Sequence, residues 1–86
     1  MKKPSKYVSA RVIFGSNLRK ARRLKDMSQE DLALGADLSR TYVSEVERGA
    51  RNVSIDNMEQ LATAIGVPLS DLVSPEMFAA LDGQLK

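Results

Sequence analysis

A chain of 86 residues has room for one domain and one core. Hydrophobic residues at 43% and charged residues at 28% fit an ordinary globular domain and exclude a disordered or fibrous chain. With no cysteine and no histidine, a disulfide scaffold, a zinc site and histidine acid–base chemistry are all ruled out, so neither a metal nor another cofactor is expected.

The net charge of +2 hides a strong asymmetry. Residues 1–25 carry nine bases and no acid, whereas residues 26–86 carry all 11 acids and only four bases, giving +9 and −7. Such an arrangement fits an end that faces a polyanion, or a basic helix docked on an acidic remainder. The longest apolar run, Met77 to Leu81, is far too short to cross a membrane, and no signal-peptide core follows Met1. A soluble cytoplasmic protein without a membrane partner is expected.

The first predicted helix runs from about Val8 to Lys25, with Tyr7, Ala10, Phe14, Leu18 and Ala21 forming an apolar stripe. Asp26 and Met27 end it. Ser28 opens a second helix with a capping box whose third position is the short Asp31, and Leu32, Ala33 and Ala36 point inward. Asp37 closes this helix in the left-handed region, which Asp tolerates better than most residues. Ser39 caps a third helix, with Leu38 and Val43 as a hydrophobic staple, and Gly49 ends it after Arg48. Ser54 caps a fourth helix with Ile55, Met58, Leu61, Ala62 and Ile65 inward, closed by Gly66. A short fifth helix holds Leu69, Leu72 and Val73. Ser74-Pro75-Glu76 starts a last one, from Met77 to Leu81. No stretch alternates as a strand, so the expected fold is all-α.

Two helices of about eight residues joined by a short turn make a helix-turn-helix pattern over residues 28–48. On the third helix Val43 and Val46 face inward, leaving Arg40, Thr41, Ser44, Glu45 and Arg48 on the other side. Short polar groups flanked by arginines suit a DNA groove, because Arg grips guanine through two nitrogens and Ser and Thr reach base edges or phosphates without clashing. An ordinary solvated helix face has the same pattern.

Ser28-Gln29-Glu30-Asp31-Leu32-Ala33, followed by Leu38-Ser39-Arg40-Thr41-Tyr42-Val43-Ser44-Glu45-Val46-Glu47-Arg48-Gly49, resembles the lambda-repressor/Cro-like helix-turn-helix family, also called the XRE family. The likeness spans Ile13 to Val73. Arg51-Asn52-Val53-Ser54-Ile55 is similar to the controller proteins of restriction–modification systems, small dimeric regulators of their own operon; phage-type repressors share many of these residues. The resemblance implies a compact five-helix DNA-binding domain at 10–73 with a short extra C-terminal helix in 74–86. It also implies a homodimer on a palindromic operator in double-stranded DNA.

Residue by residue, the resemblance implies that Arg40 and Thr41 read base edges, with Ser44 and Glu45 one turn further along. It places Gln29, Ser39, Tyr42, Arg48, Arg51 and Asn52 at the DNA backbone or the groove edge. Gln29 also braces the third helix, and Tyr42 either stacks on the DNA or covers the turn. Arg22 and Glu47 become a partly buried ion pair that aims the third helix without reading a base. Asp26 and Asp37 stand where the family commonly has glycine. Glu45, an acid in a phosphate-lined groove, is repelled unless it accepts from a cytosine amino group or is neutralised by a cation, of which Arg48 at i+3 is the one in reach; it is expected to reject wrong bases more than it adds affinity.

Leu69, Leu72, Met77, Phe78 and Leu81 are the candidate dimer surface, although the first of these also suit closure of the monomer core. Residues 1–9 read as a flexible basic arm that contacts phosphates or only solubilises the chain. No effector-binding domain is expected, and therefore no small-molecule effector. An antitoxin-like interaction module is the second functional class. An enzyme is not expected: the sequence has no Gly-rich phosphate loop, nucleophile–base pair or metal cluster, and its carboxylates are scattered among predicted caps and helix surfaces.

Overall fold

Serine opens every long helix. In a computed structural model that describes residues 8–77, α1 (Ala10–Leu24), α2 (Gln29–Ala36), α3 (Arg40–Glu47) and α4 (Ile55–Ile65) follow Ser9, Ser28, Ser39 and Ser54. Each serine is extended at the backbone, and its Oγ accepts from the N–H three residues on, at 3.3, 2.9, 3.0 and 3.1 Å respectively. These bonds satisfy donors that a helix start otherwise leaves open. At α2 the capping box is complete, because the Ser28 N–H donates to Asp31 Oδ2 at 3.0 Å.

The ends share one device too. Asp26, Asp37, Gly49 and Gly66 all have positive φ, between 55° and 86°. The following residue donates back across the turn in each case: Met27 to Arg22 O, Leu38 to Ala33 O, Ala50 to Glu45 O and Val67 to Ala62 O, at 2.9–3.1 Å. This is the bond pattern by which a left-handed residue closes a helix. At two of the four ends the short side chain of aspartate stands in for glycine.

The first helix is shorter than its apolar spacing predicts. It begins at Ala10 rather than Val8, because Ser9 supplies the cap, and Lys25 is its C-cap rather than an interior residue. Ala10 is exposed, so the stripe starts at Phe14. Ile55 also departs from expectation: it is 66% exposed at the first position of α4, one turn before Met58, where the core begins. Tyr7 and most of the expected basic arm lie outside the described residues, as do Phe78 and Leu81.

The core gathers Phe14 and Leu18 of α1, Leu32, Ala33 and Ala36 of α2, Val43 and Val46 of α3, and Leu61, Ala62 and Ile65 of α4. It is closed by Leu72 of the short α5 (Leu69–Leu72). The central α2 packs on α3 and α4, while α1 packs on α3 and α5. Buried Asn17 of α1 holds α5 in place: its Nδ2 lies 3.3, 3.1 and 3.2 Å from the carbonyl oxygens of Asp71, Leu72 and Ser74, giving partners to carbonyls that a helix end leaves open. Ser74 in turn accepts from the Met77 N–H at 3.1 Å, and residues 75–77 are helical.

Candidate nucleic-acid interface

With Val43, Val46 and Glu47 buried, the rest of α3 turns outward. Arg40, Thr41 and Arg48 are exposed, while Tyr42, Ser44 and Glu45 are half-buried. At 100° per residue, Thr41, Glu45 and Arg48 lie nearest the centre of this outer face. Ser44 lies toward the α1–α2 side and Tyr42 toward α4.

The aim of α3 is fixed from beneath. Arg22 Nε donates to Glu47 Oε2 at 2.6 Å and Arg22 Nη2 to Glu47 Oε1 at 3.0 Å, both buried. Arg22 Nη1 donates to the Met27 carbonyl at 2.7 Å, and Gln29 Nε2 donates to Glu47 Oε1 at 3.0 Å. One carboxylate thus joins α1, the entry to α2 and the end of α3. An acid at a helix C-terminus opposes the helix dipole, and the guanidinium offsets that opposition here. Alongside, Gly15 lets α1 approach the α3 backbone: a Cβ there would overlap the Val46 carbonyl oxygen and lie 3.0 Å from that of Glu47.

Two hollows lie near this face, one against α3 itself and one between the start of α1 and the loop that follows α3. One, of about 280 Å³, is lined by Arg19, Gln29, Ser44, Glu47 and Arg48. The other, of about 120 Å³, is lined by Arg11, Arg51 and Asn52 together with Ala10, Phe14, Val53 and Met58. The basic first helix therefore contributes a cation to each hollow. The first hollow also adjoins the start of α2, whose free N–H groups and positive dipole end suit a phosphate. Sequence reasoning counted Arg19 only as charge; it carried one usable signal, its place three residues before Arg22 on α1.

Glu45 corrects an expectation. Its partner is Arg51, whose Nε lies 2.7 Å from Glu45 Oε1, whereas Arg48 Nη1 donates to Ser44 Oγ at 2.9 Å. The reason is where α3 stops: Arg48 is already the C-cap, and the chain turns at Gly49, bringing Arg51 back beside Glu45. The Arg51 guanidinium carbon also sits 5.0 Å from the centre of the Tyr42 ring, within cation–π range. Tyr42 packs on the core, and its hydroxyl accepts from Asn57 Nδ2 at 3.0 Å. Ser39 is spent on its cap through its oxygen, and Asn52 is exposed at the second hollow.

This arrangement matches a known family model. The helix-turn-helix model aligns with residues 18–72, from α1 to the end of α5. The chain belongs to the helix-turn-helix family. It is 52% identical over 64 residues to the control protein C.BamHI of Bacillus amyloliquefaciens, covering 73% of this chain and 79% of that protein. Among solved structures it is similar to the restriction–modification controller protein C.AhdI from Aeromonas hydrophila. That match has 48% identity and a TM-score of 0.70, and covers 72% of this chain and 94% of the other. It is also similar, at 31% identity and a TM-score of 0.73, to the controller protein C.Esp1396I, solved as a tetramer in complex with its natural 35 base-pair operator. There the match covers 87% of this chain and 96% of the other.

In the C-terminal part of this helix-turn-helix chain, the residues expected at a dimer surface differ in burial. Leu72 is 2% exposed and belongs to the monomer core, and only its edge borders the hollow that Met77 lines. Leu69 packs against the same core while half-buried. Met77 is 36% exposed and lines a shallow apolar hollow of about 130 Å³ with Ala21, Leu24 and Val67. No helix among the described residues is long and apolar enough to cross a membrane.

Proposed function

We propose that this chain is a sequence-specific regulator of transcription that binds double-stranded DNA as a homodimer on a palindromic operator, in the manner of a restriction–modification controller protein. In this reading α3 enters the major groove. Arg40 and Thr41 meet base edges, with Ser44 one turn further along. Gln29, Arg19 and Arg48 grip one phosphate strand from the larger hollow; Ser39, Arg11 and Asn52 serve the backbone on their own sides. The observation that carries this reading is the buried Arg22–Glu47 pair with half-buried Gln29, which spends two charged groups on holding a solvent-facing helix beside a hollow lined by Arg19 and Arg48.

A single recognition helix spans only a few base pairs, so two copies on half-sites roughly 34–36 Å apart supply the selectivity. The exposed apolar residues Leu24, Val73 and Met77, at the end of the molecule formed by α5 and the close of α1, are the surface we assign to the second copy. The chain acts by occupying DNA and has no catalytic activity of its own.

Selection of bound duplexes from a random pool, at two salt concentrations, tests the reading. A palindromic consensus that survives the higher salt is the expected result. Salt-sensitive binding with no consensus would leave only attraction to phosphate.

A further inference from the structure

We propose that Glu45 contacts no base but is a positioning residue for Arg51, and that Arg51, so held, reads a guanine at the edge of the groove. The inference rests on the DNA-binding reading above and deepens it.

Three contacts fix the guanidinium. Glu45 Oε1 takes its Nε at 2.7 Å, the Tyr42 ring lies 5.0 Å beneath its central carbon, and Asn57 anchors that ring through the hydroxyl at 3.0 Å. Because only Nε is engaged, Nη1 and Nη2 have no protein acceptor among the described residues. They form the planar pair of donors that matches guanine O6 and N7. The side chains remain 48% exposed at Arg51 and 31% at Glu45, so the pair is open to a ligand. An exposed pair adds little to stability, which makes orientation the effect it can exert.

Glu45 shares the centre of the outer face of α3 with Thr41, and so places Arg51 on the side that meets DNA. A bare carboxylate at that position would be repelled by phosphates; bound to Arg51, its charge is balanced. Without Glu45, the long arginine side chain is free to take many rotamers, and an ordered two-nitrogen contact then costs more entropy.

The test compares wild type with Glu45→Ala, Arg51→Ala, Arg51→Lys and the double alanine variant. The affinity of each is measured for the selected duplex and for every single base-pair change in it, with melting temperatures alongside. Arg51→Ala is expected to lose roughly ten-fold or more of the preference at one G·C pair. Glu45→Ala weakens the preference at that same pair, the double variant is no worse than Arg51→Ala, Arg51→Lys fails to restore it, and all variants melt with wild type. Loss of preference at a different pair in Glu45→Ala means that the acid reads a base itself, which overturns the proposal. A uniform loss of affinity in Arg51→Ala, with a salt slope smaller by about 0.9, makes Arg51 a phosphate contact and overturns it equally. A lowered melting temperature in Glu45→Ala gives the pair a structural role, against the proposal. A wild-type protein with no preference among duplexes instead defeats the functional reading beneath it.

Discussion

Glu47 receives the guanidinium of Arg22 through two nitrogens, at 2.6 and 3.0 Å, across 25 residues of sequence. The pair lies where α1 crosses the end of α3, and Gln29 adds a third donor to the same carboxylate at 3.0 Å. Everything on the outer face of α3 takes its direction from this point.

Glu47→Ala leaves a buried guanidinium without its acid, at a cost of about 3–5 kcal/mol. Stability measured by urea unfolding should fall by that amount, and affinity for the selected duplex should fall with it. The pair Arg22→Met with Glu47→Leu, which fills the space with apolar groups, should regain much of the stability but not the affinity, since α3 loses its brace. Equal melting temperatures for Glu47→Ala and wild type would contradict this account.

Gly15→Ala tests the close approach of α1 and α3. Its Cβ would meet backbone oxygens of Val46 and Glu47, which cannot turn aside as a side chain can. The helices must separate, costing about 1–3 kcal/mol, although alanine is the better helix former. Lower thermal stability together with weaker duplex binding is expected. A more stable variant would show that the contact is looser than the distances require.

The signals legible in sequence were local ones. The caps at Ser28, Ser39 and Ser54, the closure at Asp37 and the inward stripes depend on residues a few positions apart, and these place the ends of α1 to α4 to within two residues. Contacts between helices left weaker traces. Gly15 and Asn17 look like ordinary helix residues until α3 and α5 are set beside them. The family resemblance raised the pairing of Arg22 with Glu47; helical spacing alone would not have done so. For Glu45 the i+3 rule chose Arg48, because the rule holds only while the helix continues, and α3 ends at Glu47. The dimer residues were blurred for a related reason: Leu72 and Met77 are equally apolar, and only packing shows that one closes the core.

Asp31 links the cap of α2 to pH. The Ser28 backbone N–H, and then the Ser28 hydroxyl, hold the Asp31 carboxyl below the usual aspartate range. The ionised form is the one bound, so its stabilising effect is complete above the unfolded value of about 3.9 and disappears as pH falls through the lower folded value. The melting-temperature advantage of wild type over Asp31→Asn should therefore shrink as the solution is acidified below about pH 4. An advantage that stays constant down to about pH 2 would show that the charge contributes nothing.

Leu72 and Met77 should separate in experiment as they do in burial. Leu72→Ala opens the core and should cost about 2–5 kcal/mol at any protein concentration. Met77→Asp should leave the monomer fold intact while shifting the mass measured by sedimentation toward the single chain. A dimer that persists unchanged in Met77→Asp would move the interface elsewhere.

The central claim is that Arg40 and Thr41, at the start of α3, distinguish one DNA sequence from another. The most direct measurement is the ratio of affinities for the selected duplex and a scrambled one, in wild type and in the Arg40→Ala, Thr41→Ala double variant, with melting temperatures recorded together. Both side chains are exposed, so the two proteins should melt alike. The ratio should collapse by roughly 5- to 150-fold, the equivalent of about 1–3 kcal/mol for a two-nitrogen base contact. An unchanged ratio in a variant that folds normally would mean that sequence is read elsewhere on the molecule.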